Sequence, residues 1–278
     1  MKVRILTDTA SDCTPQELEK LNFDLIELPV TLDGEEVSWK DVDGFWQGVL
    51  EGKLPRTSQQ SPEAYRKAFE AARDAGEALV CILISSNMSG SYESALAVKE
   101  DVGYEHIYVI DSLNAATTEM ILVKEACRLR DEGATAEQIV EHVEKLKHRV
   151  KIFACLDTLK YVALGGRISK AAAAIGNLIN LKPIITFVDG YVTSLAKVFG
   201  LTQGANKLLD KMREIPADPN FGYIPIYPDN SKNTEKFIER AKANGFDVDV
   251  SRLTPIGATI GTHIGPNAFG IVFVAKEE

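Results

Sequence analysis

Five serines, Ser85, Ser86, Ser89, Ser91 and Ser94, fall within ten positions where the apolar run ALVCILI gives way to a helix-like segment. Hydroxyls gathered at a helix start can do three kinds of work. They can cap the helix by accepting from its free N–H groups. They can join those N–H groups and the helix dipole in holding a carboxylate or phosphate. One of them can act as a nucleophile on a sharp turn, which needs G-x-S-x-G and a histidine base. NMSGS lacks the first glycine. Of the four histidines, His106, His142 and His148 fall on a strand start or a charged helix, which leaves His263 for that role. From this stretch alone capping, anion binding and a nucleophile all stay open.

Three further stretches carry more polar or glycine chemistry than their surroundings require. In LPRTSQQSPEAY, Ser61 reads as a helix cap, while Thr57 and Ser58 are surplus to that task. In YVALGGRIS, Gly165 and Gly166 end a helical turn and set Arg167 before a new helix expected near Ser169; an ordinary C-cap with a solvated arginine explains this equally well. The alanine run 171–174 suits close helix packing or a narrow pocket wall. In PIGATIGTHIGPNAFG, the glycines and prolines predict a contorted loop on which Thr262 and His263 could donate to an anion. A structural histidine is the commoner outcome, and the glycine density around this one argues for function.

The elements that must position these residues are well punctuated. KVRILTD, ALVCILIS and HIYVID read as short apolar strands, and KIFACLD as the strand that completes their run. Between them, Thr14-Pro15-x-Glu17 and Thr135-x-x-Gln138 are capping boxes, and Ser61-Pro62 with Gly76 brackets another helix. DLIELPVTL reads as one strand ending in a turn at Asp33–Gly34. This alternation predicts right-handed βαβ units and a mostly parallel sheet, with ligands at the carboxyl ends of its strands. After about residue 160 the pattern changes. Asp189–Gly190 joins two β-rich runs as a hairpin, and FDVDVSRLTPI and AFGIVFVAK read as closing strands. The expectation is an α/β protein: a mostly parallel βαβ domain over residues 1–160, then an α+β domain with a largely antiparallel sheet over 161–278.

Composition bounds the rest. The 278 residues are 45% hydrophobic and 26% charged, as in a globular protein with a substantial core. A net charge of −9 argues against nucleic acid as a partner. No segment reaches the ~20 apolar residues of a membrane span, so stable membrane insertion is not expected. Cys13, Cys81, Cys127 and Cys155 are widely spaced without a metal-ligand pattern, so neither a metal nor a disulfide framework is expected, and the cytoplasm is the simplest compartment.

Taken in order, ILTDTASD, TSQQS, SSNMSGSYESA, LDTLKYVALGGRIS, LKPI and IGTHIGP resemble the DegV family of bacterial fatty-acid-binding proteins. The resemblance spans nearly the whole chain. It implies two α/β domains with a lipid at their junction, no cofactor, and a long-chain fatty acid such as palmitate or oleate as the ligand. It implies that Thr57 and Ser89 hold the carboxylate, with Ser58, Ser86, Gly90 and Ser91 as neighbours. Some members are the acyl-carrying, non-catalytic subunit of a fatty-acid kinase, and there Arg167, Thr262 and His263 would face the phosphoryl group or the partner kinase. Several positions depart from the family pattern: Gln60 for proline, Ser91 for threonine, Asn267 for glycine, Phe199 for arginine, and Tyr227 near a frequent histidine. The competing readings are a serine hydrolase or acyltransferase using Ser89 or Ser91 with His263, and a binding module for a small phosphorylated metabolite.

Overall fold

The computed structural model describes residues 1–167, 181–230 and 232–277. The helix expected near Ser169 and the alanine run 171–174 lie outside the described residues. The chain divides into two compact units, Met1–Pro29 with Thr57–His148, and Val30–Arg56 with Arg149–Glu278. This differs from a linear division at residue 160, because each unit is assembled from two stretches of chain.

The first unit is built on four parallel strands, β1 (Val3–Asp8), β2 (Asp24–Ile26), β6 (Ala78–Leu83) and β7 (Ile107–Asp111), in the order β2-β1-β6-β7. All six residues of β6 are buried, as a central parallel strand covered on both faces demands. The helices are α1 (Pro15–Leu21), α3 (Pro62–Ala75), α4 (Ser91–Val102), α5 (Thr117–Asp131) and α6 (Ala136–Leu146). Both capping boxes form as the sequence predicts. Thr14 and Glu17 bond reciprocally at the start of α1, and Thr135 and Gln138 do so at α6. Pro62 opens α3 and Gly76 closes it at φ 65°, but Ser61 makes no side-chain cap bond, so the capping expectation holds for its position and not for its hydroxyl. Tyr65, Phe69, Leu79, Leu83 and Ile107 are fully buried in the core between sheet and helices.

The second unit holds a six-stranded sheet and a three-stranded one. The larger runs β10 (Tyr191–Phe199), β9 (Leu181–Val188), β8 (Val150–Cys155), β13 (Phe269–Val274), β11 (Tyr223–Tyr227) and β12 (Thr254–Pro255), antiparallel except for the last pair. The smaller has the order β4 (Glu35–Val37), β3 (Val30–Leu32), β5 (Pro55–Thr57). Its helices are α2 (Val42–Leu50), α7 (Lys160–Leu164), α8 (Gly200–Glu214), α9 (Lys232–Ala243) and α10 (Ala258–Ile264). Both Asp-Gly turns form with positive φ at each residue, 51° and 92° at Asp33–Gly34 and 48° and 79° at Asp189–Gly190, the geometry of a two-residue hairpin loop.

Three strand expectations are corrected. KIFACLD does not complete the parallel sheet; β8 pairs antiparallel with β13 and β9. DLIELPVTL is two strands in different sheets, β2 and β3, on either side of Pro29. FDVDVSRLTPI yields only the two-residue β12 after a 3-10 turn, Val250–Arg252. Among the described residues, no helix is long and apolar enough to cross a membrane.

Candidate functional site

Because β1, β6 and β7 are parallel, the residues that follow them emerge along one edge of the sheet. Hydrogen bonds lace those exits together. Ile84 N–H donates to Asp8 Oδ2 at 3.2 Å, and Ser85 N–H donates to the Asn114 carbonyl at 2.8 Å. The chain then folds back on itself: Met88 and Ser89 both donate their N–H to the Ser85 carbonyl, at 2.9 and 3.1 Å. That turn delivers Ser89, Gly90 and Ser91 to the start of α4. Backbone strain gathers at the same edge, with Asp12, Leu113 and Ala116 at φ 57°, 54° and 58°. Non-glycine residues are held in this region only where surrounding contacts fix them.

At the start of α4 the N-cap is Gly90, which has no side chain with which to cap the helix. Ser89 Oγ and Ser91 Oγ lie 2.9 Å apart, and Ser91 N–H donates to Ser89 Oγ at 3.3 Å. Ser91 is fully buried and Ser89 half-buried. A hydroxyl pair therefore stands where first-turn N–H groups lack helical partners and the dipole favours negative charge. The TSQQS segment is tied to this point. Gln59 Nε2 donates to the Gly90 carbonyl at 2.8 Å, and a Cβ on Gly90 would stand 2.9 Å from Gln59 Oε1. Gln60 Nε2 donates to the Glu27 carbonyl at 2.7 Å, and Ser58 N–H to the Pro29 carbonyl at 3.1 Å. Thr57, which ends β5, is half-buried, and Ser58 is exposed.

Ser86 is placed differently from Ser89 and Ser91. Its hydroxyl donates to Asp111 Oδ2 at 2.5 Å and its N–H reaches Asp111 Oδ1 at 3.1 Å. Its proton is thus committed to a carboxylate already present, and that charge opposes a second anion beside it.

Arg167, Thr262 and His263 belong to the second unit. His263 lies on α10, so the expected contorted loop is a helix. A Cβ on Gly165 would fall 2.1 Å from His263 Nδ1, so only glycine admits the imidazole there. Arg167 is exposed and its guanidinium donates to the Gly165 carbonyl at 2.5 Å. Burial, reinforced by the Arg167 charge, pulls the His263 pKa down to about 4, so the ring is neutral at physiological pH. Thr262 donates to the Ala258 carbonyl at 2.9 Å, a bond back along its own helix. The glycines around them have packing reasons. A Cβ on Gly261 would stand 2.7 Å from the Phe45 and Trp46 rings, and one on Gly265 would stand 2.2 Å from the Tyr161 ring.

Sequence reasoning missed Asp111, Asp8 and Glu119, and it gave Gln59 no role of its own. Gln59 stands next to residues that were singled out, so its motif was the available signal. Asp8 and Glu119 are both fully buried, and Glu119 sits in TTEMILV, where a charged residue inside an apolar run is itself a signal. Two of the departures from the family pattern, Asn267 and Gln60, find local accounts. Asn267 adopts φ 63°, a conformation asparagine tolerates better than most residues, with its N–H on Asp229 Oδ1 at 2.7 Å. Gln60 holds its loop through a side-chain bond.

A parallel α/β unit whose sheet edge carries a hydroxyl-lined helix start, joined in one chain to a largely antiparallel α+β unit, defines a two-unit class of mixed α/β proteins. The chain belongs to the DegV family, whose profile matches residues 2–276. It is 31% identical to a DegV domain-containing protein of Caldanaerobacter subterraneus, over 99% of both chains. It is 28% identical to a protein of Thermotoga maritima named a fatty acid-binding protein, over 97% of this chain and 96% of the other. Among solved structures, a stearic acid-binding protein from Eubacterium ventriosum superposes with a TM-score of 0.86 at 26% identity, over 99% of this chain and 98% of that one. A DegV family protein from Thermus thermophilus, described for its fatty acid binding, superposes with a TM-score of 0.86 at 25% identity, over 99% and 100%.

Proposed function

We propose that the protein binds one long-chain fatty acid, such as palmitate or oleate, and holds its carboxylate with Ser89, Ser91 and Thr57 at the start of α4. The observation that carries this reading is the Ser89–Ser91 hydroxyl pair at a helix start whose N-cap residue is glycine. Fatty-acid-binding relatives that match over nearly the full chain support the acyl chain as the apolar part of the ligand. Each CH₂ removed from water contributes about 0.8 kcal/mol, so the tail supplies most of the affinity. Charge-assisted hydrogen bonds of about 1.5–3 kcal/mol each fix the position of the head. Gln59 keeps the Thr57 segment against Gly90, and Ser58 lies on the exposed side of that segment.

In this reading the protein is a carrier with no catalytic residue. Ser89 and Ser91 hydrogen-bond each other, which leaves no activated nucleophile, and His263 at a pKa near 4 is a weak base. A neutral His263 beside an exposed Arg167 supports the assignment of these two to the phosphoryl group or a partner kinase that would take up the bound acyl group. Uptake of palmitate or oleate by delipidated protein tests the carrier reading. The expected result is saturable binding, weakened roughly tenfold or more in Ser89→Ala and in Thr57→Ala. Burst acylation by an activated ester, abolished in Ser89→Ala, would point to the hydrolase instead.

A further inference from the structure

At the carboxyl end of β1, tied through Ile84 to the start of the Ser85–Ser91 turn, the first unit buries two carboxyl groups. Asp8 and Glu119 are both 0% exposed. Asp8 receives Ala10 N–H at 2.8 Å on one oxygen and Ile84 N–H at 3.2 Å on the other, and Ile84 leads into the turn that presents Ser89. Glu119 receives the Thr7 hydroxyl at 2.9 Å on Oε1, while its Oε2 is buried without a hydrogen-bond partner. The Tyr65 hydroxyl is buried, interacts with Ser91 and feels the Asp8 and Glu119 charges, which sets one side chain within reach of both the acid pair and the buried member of the hydroxyl pair.

We propose that a carboxylate bound at the Ser89–Ser91 pair is accompanied by a proton taken up on Asp8, beside a Glu119 that is already protonated, so that the charge the ligand brings is offset by proton uptake. This rests on the binding reading above and adds its proton linkage.

Two ionised carboxylates cannot share a dry interior at neutral pH, so the pair holds a proton. Glu119 Oε2 is its natural seat, because both Asp8 oxygens already accept from the backbone. The ionisable groups around the pair are acidic or neutral: Asp8 on β1, Asp12 beyond it and Asp111 on β7 all act on Glu119, and the Cys81 thiol on β6 and the Tyr65 phenol on α3 feel both buried carboxyls. None of them is a cation. Burial is the largest cause in pushing Asp8 up to about 7, against the pull of its two backbone bonds. Among the described residues, no group of three His, Cys, Asp or Glu side chains is arranged to hold a metal ion. An incoming carboxylate adds another negative charge above the pair and raises the Asp8 pKa further.

Linkage is reciprocal: if the ligand raises that pKa by one unit, protonation of Asp8 tightens the ligand about tenfold. Laurate below its micelle concentration is a suitable probe, because its carboxyl is ionised from pH 6.5 to 9. Calorimetric titration at pH 7.5 in two buffers of different ionisation enthalpy reads proton uptake directly. The wild type is expected to take up a measurable fraction of a proton and to bind about tenfold more tightly at pH 6.5 than at pH 9. Asp8→Asn is expected to bind without uptake. Because that variant loses an acceptor and can fail to fold, the Asp8 carboxyl carbon is also followed in ¹³C-aspartate-labelled wild type. Its titration midpoint should rise by about one unit with laurate. Binding with no proton uptake and an unmoved midpoint overturns the inference alone. Uptake that persists undiminished in Asp8→Asn also overturns it, since Asp8 would then not be the group that takes the proton. Failure to bind at any pH removes the binding reading and this inference with it.

Discussion

Ser89 and Ser91 differ in what their hydroxyls face. Ser91 is fully buried against Tyr65, and Ser89 is half-buried, so in the binding reading Ser89 is the member a ligand meets first. Ser89→Ala should therefore lower fatty-acid affinity with little effect on the unfolding midpoint, checked by calorimetry beside a urea titration. Gly165 shows the opposite sensitivity. A methyl group there would enter the His263 ring, so Gly165→Ala should destabilise the second unit by about 1–3 kcal/mol, seen as a lower urea midpoint. At this scale the sequence was informative where neighbours in the chain act together, as in SSNMSGS. It was silent where partners are distant: the Thr7–Glu119 bond joins residues 112 positions apart. The glycines of IGTHIGP were read as signs of a binding loop. Their reason is the close packing of Phe45, Trp46 and Tyr161, which no spacing within the motif reveals.

At the scale of elements, the start of α4 is held by a strand exit on one side and the TSQQS segment on the other. Gly90→Ala would push the Gln59 amide out of its bond to the Gly90 carbonyl. The expected outcome is weaker fatty-acid binding, several-fold or more, in a protein that unfolds cooperatively at nearly the wild-type urea concentration. Helix boundaries and turns were legible because caps, Pro-first turns and Asp-Gly pairs act within a few residues. The fate of KIFACLD was not. A short apolar run fixes that a strand is buried, but not which sheet supplies its neighbours. The same limit split DLIELPVTL, where Pro29 marks the passage of the chain from one unit to the other.

For the whole molecule, the buried ionisable groups set how stability varies with acidity. The folded pKa of Asp8 stands above its usual 3.8, at about 7, so the folded state binds that proton more tightly than the unfolded chain. The resulting penalty is absent in acid, grows between about pH 4 and 7, and is complete above 7. Between pH 5 and 8 the wild type should lose on the order of a few kcal/mol relative to Asp8→Asn, measured by urea unfolding at both values. His263 acts in the other direction. Its folded pKa is depressed, so its neutral form is favoured at neutral pH and stability falls as pH drops from 6.5 towards 4. The family, the two-unit fold class and the parallel sheet edge were readable from the ordered motifs, whereas the division of each unit into two stretches of chain depends on long-range packing alone.

The most direct test of the binding reading is mass spectrometry of the lipid extracted from purified protein, with a matched Ser89→Ala sample. A long-chain fatty acid near one equivalent in the wild type, depleted in the variant, is the expected result. An extract free of fatty acid, from a protein that also takes up neither palmitate nor oleate when they are supplied, would contradict it.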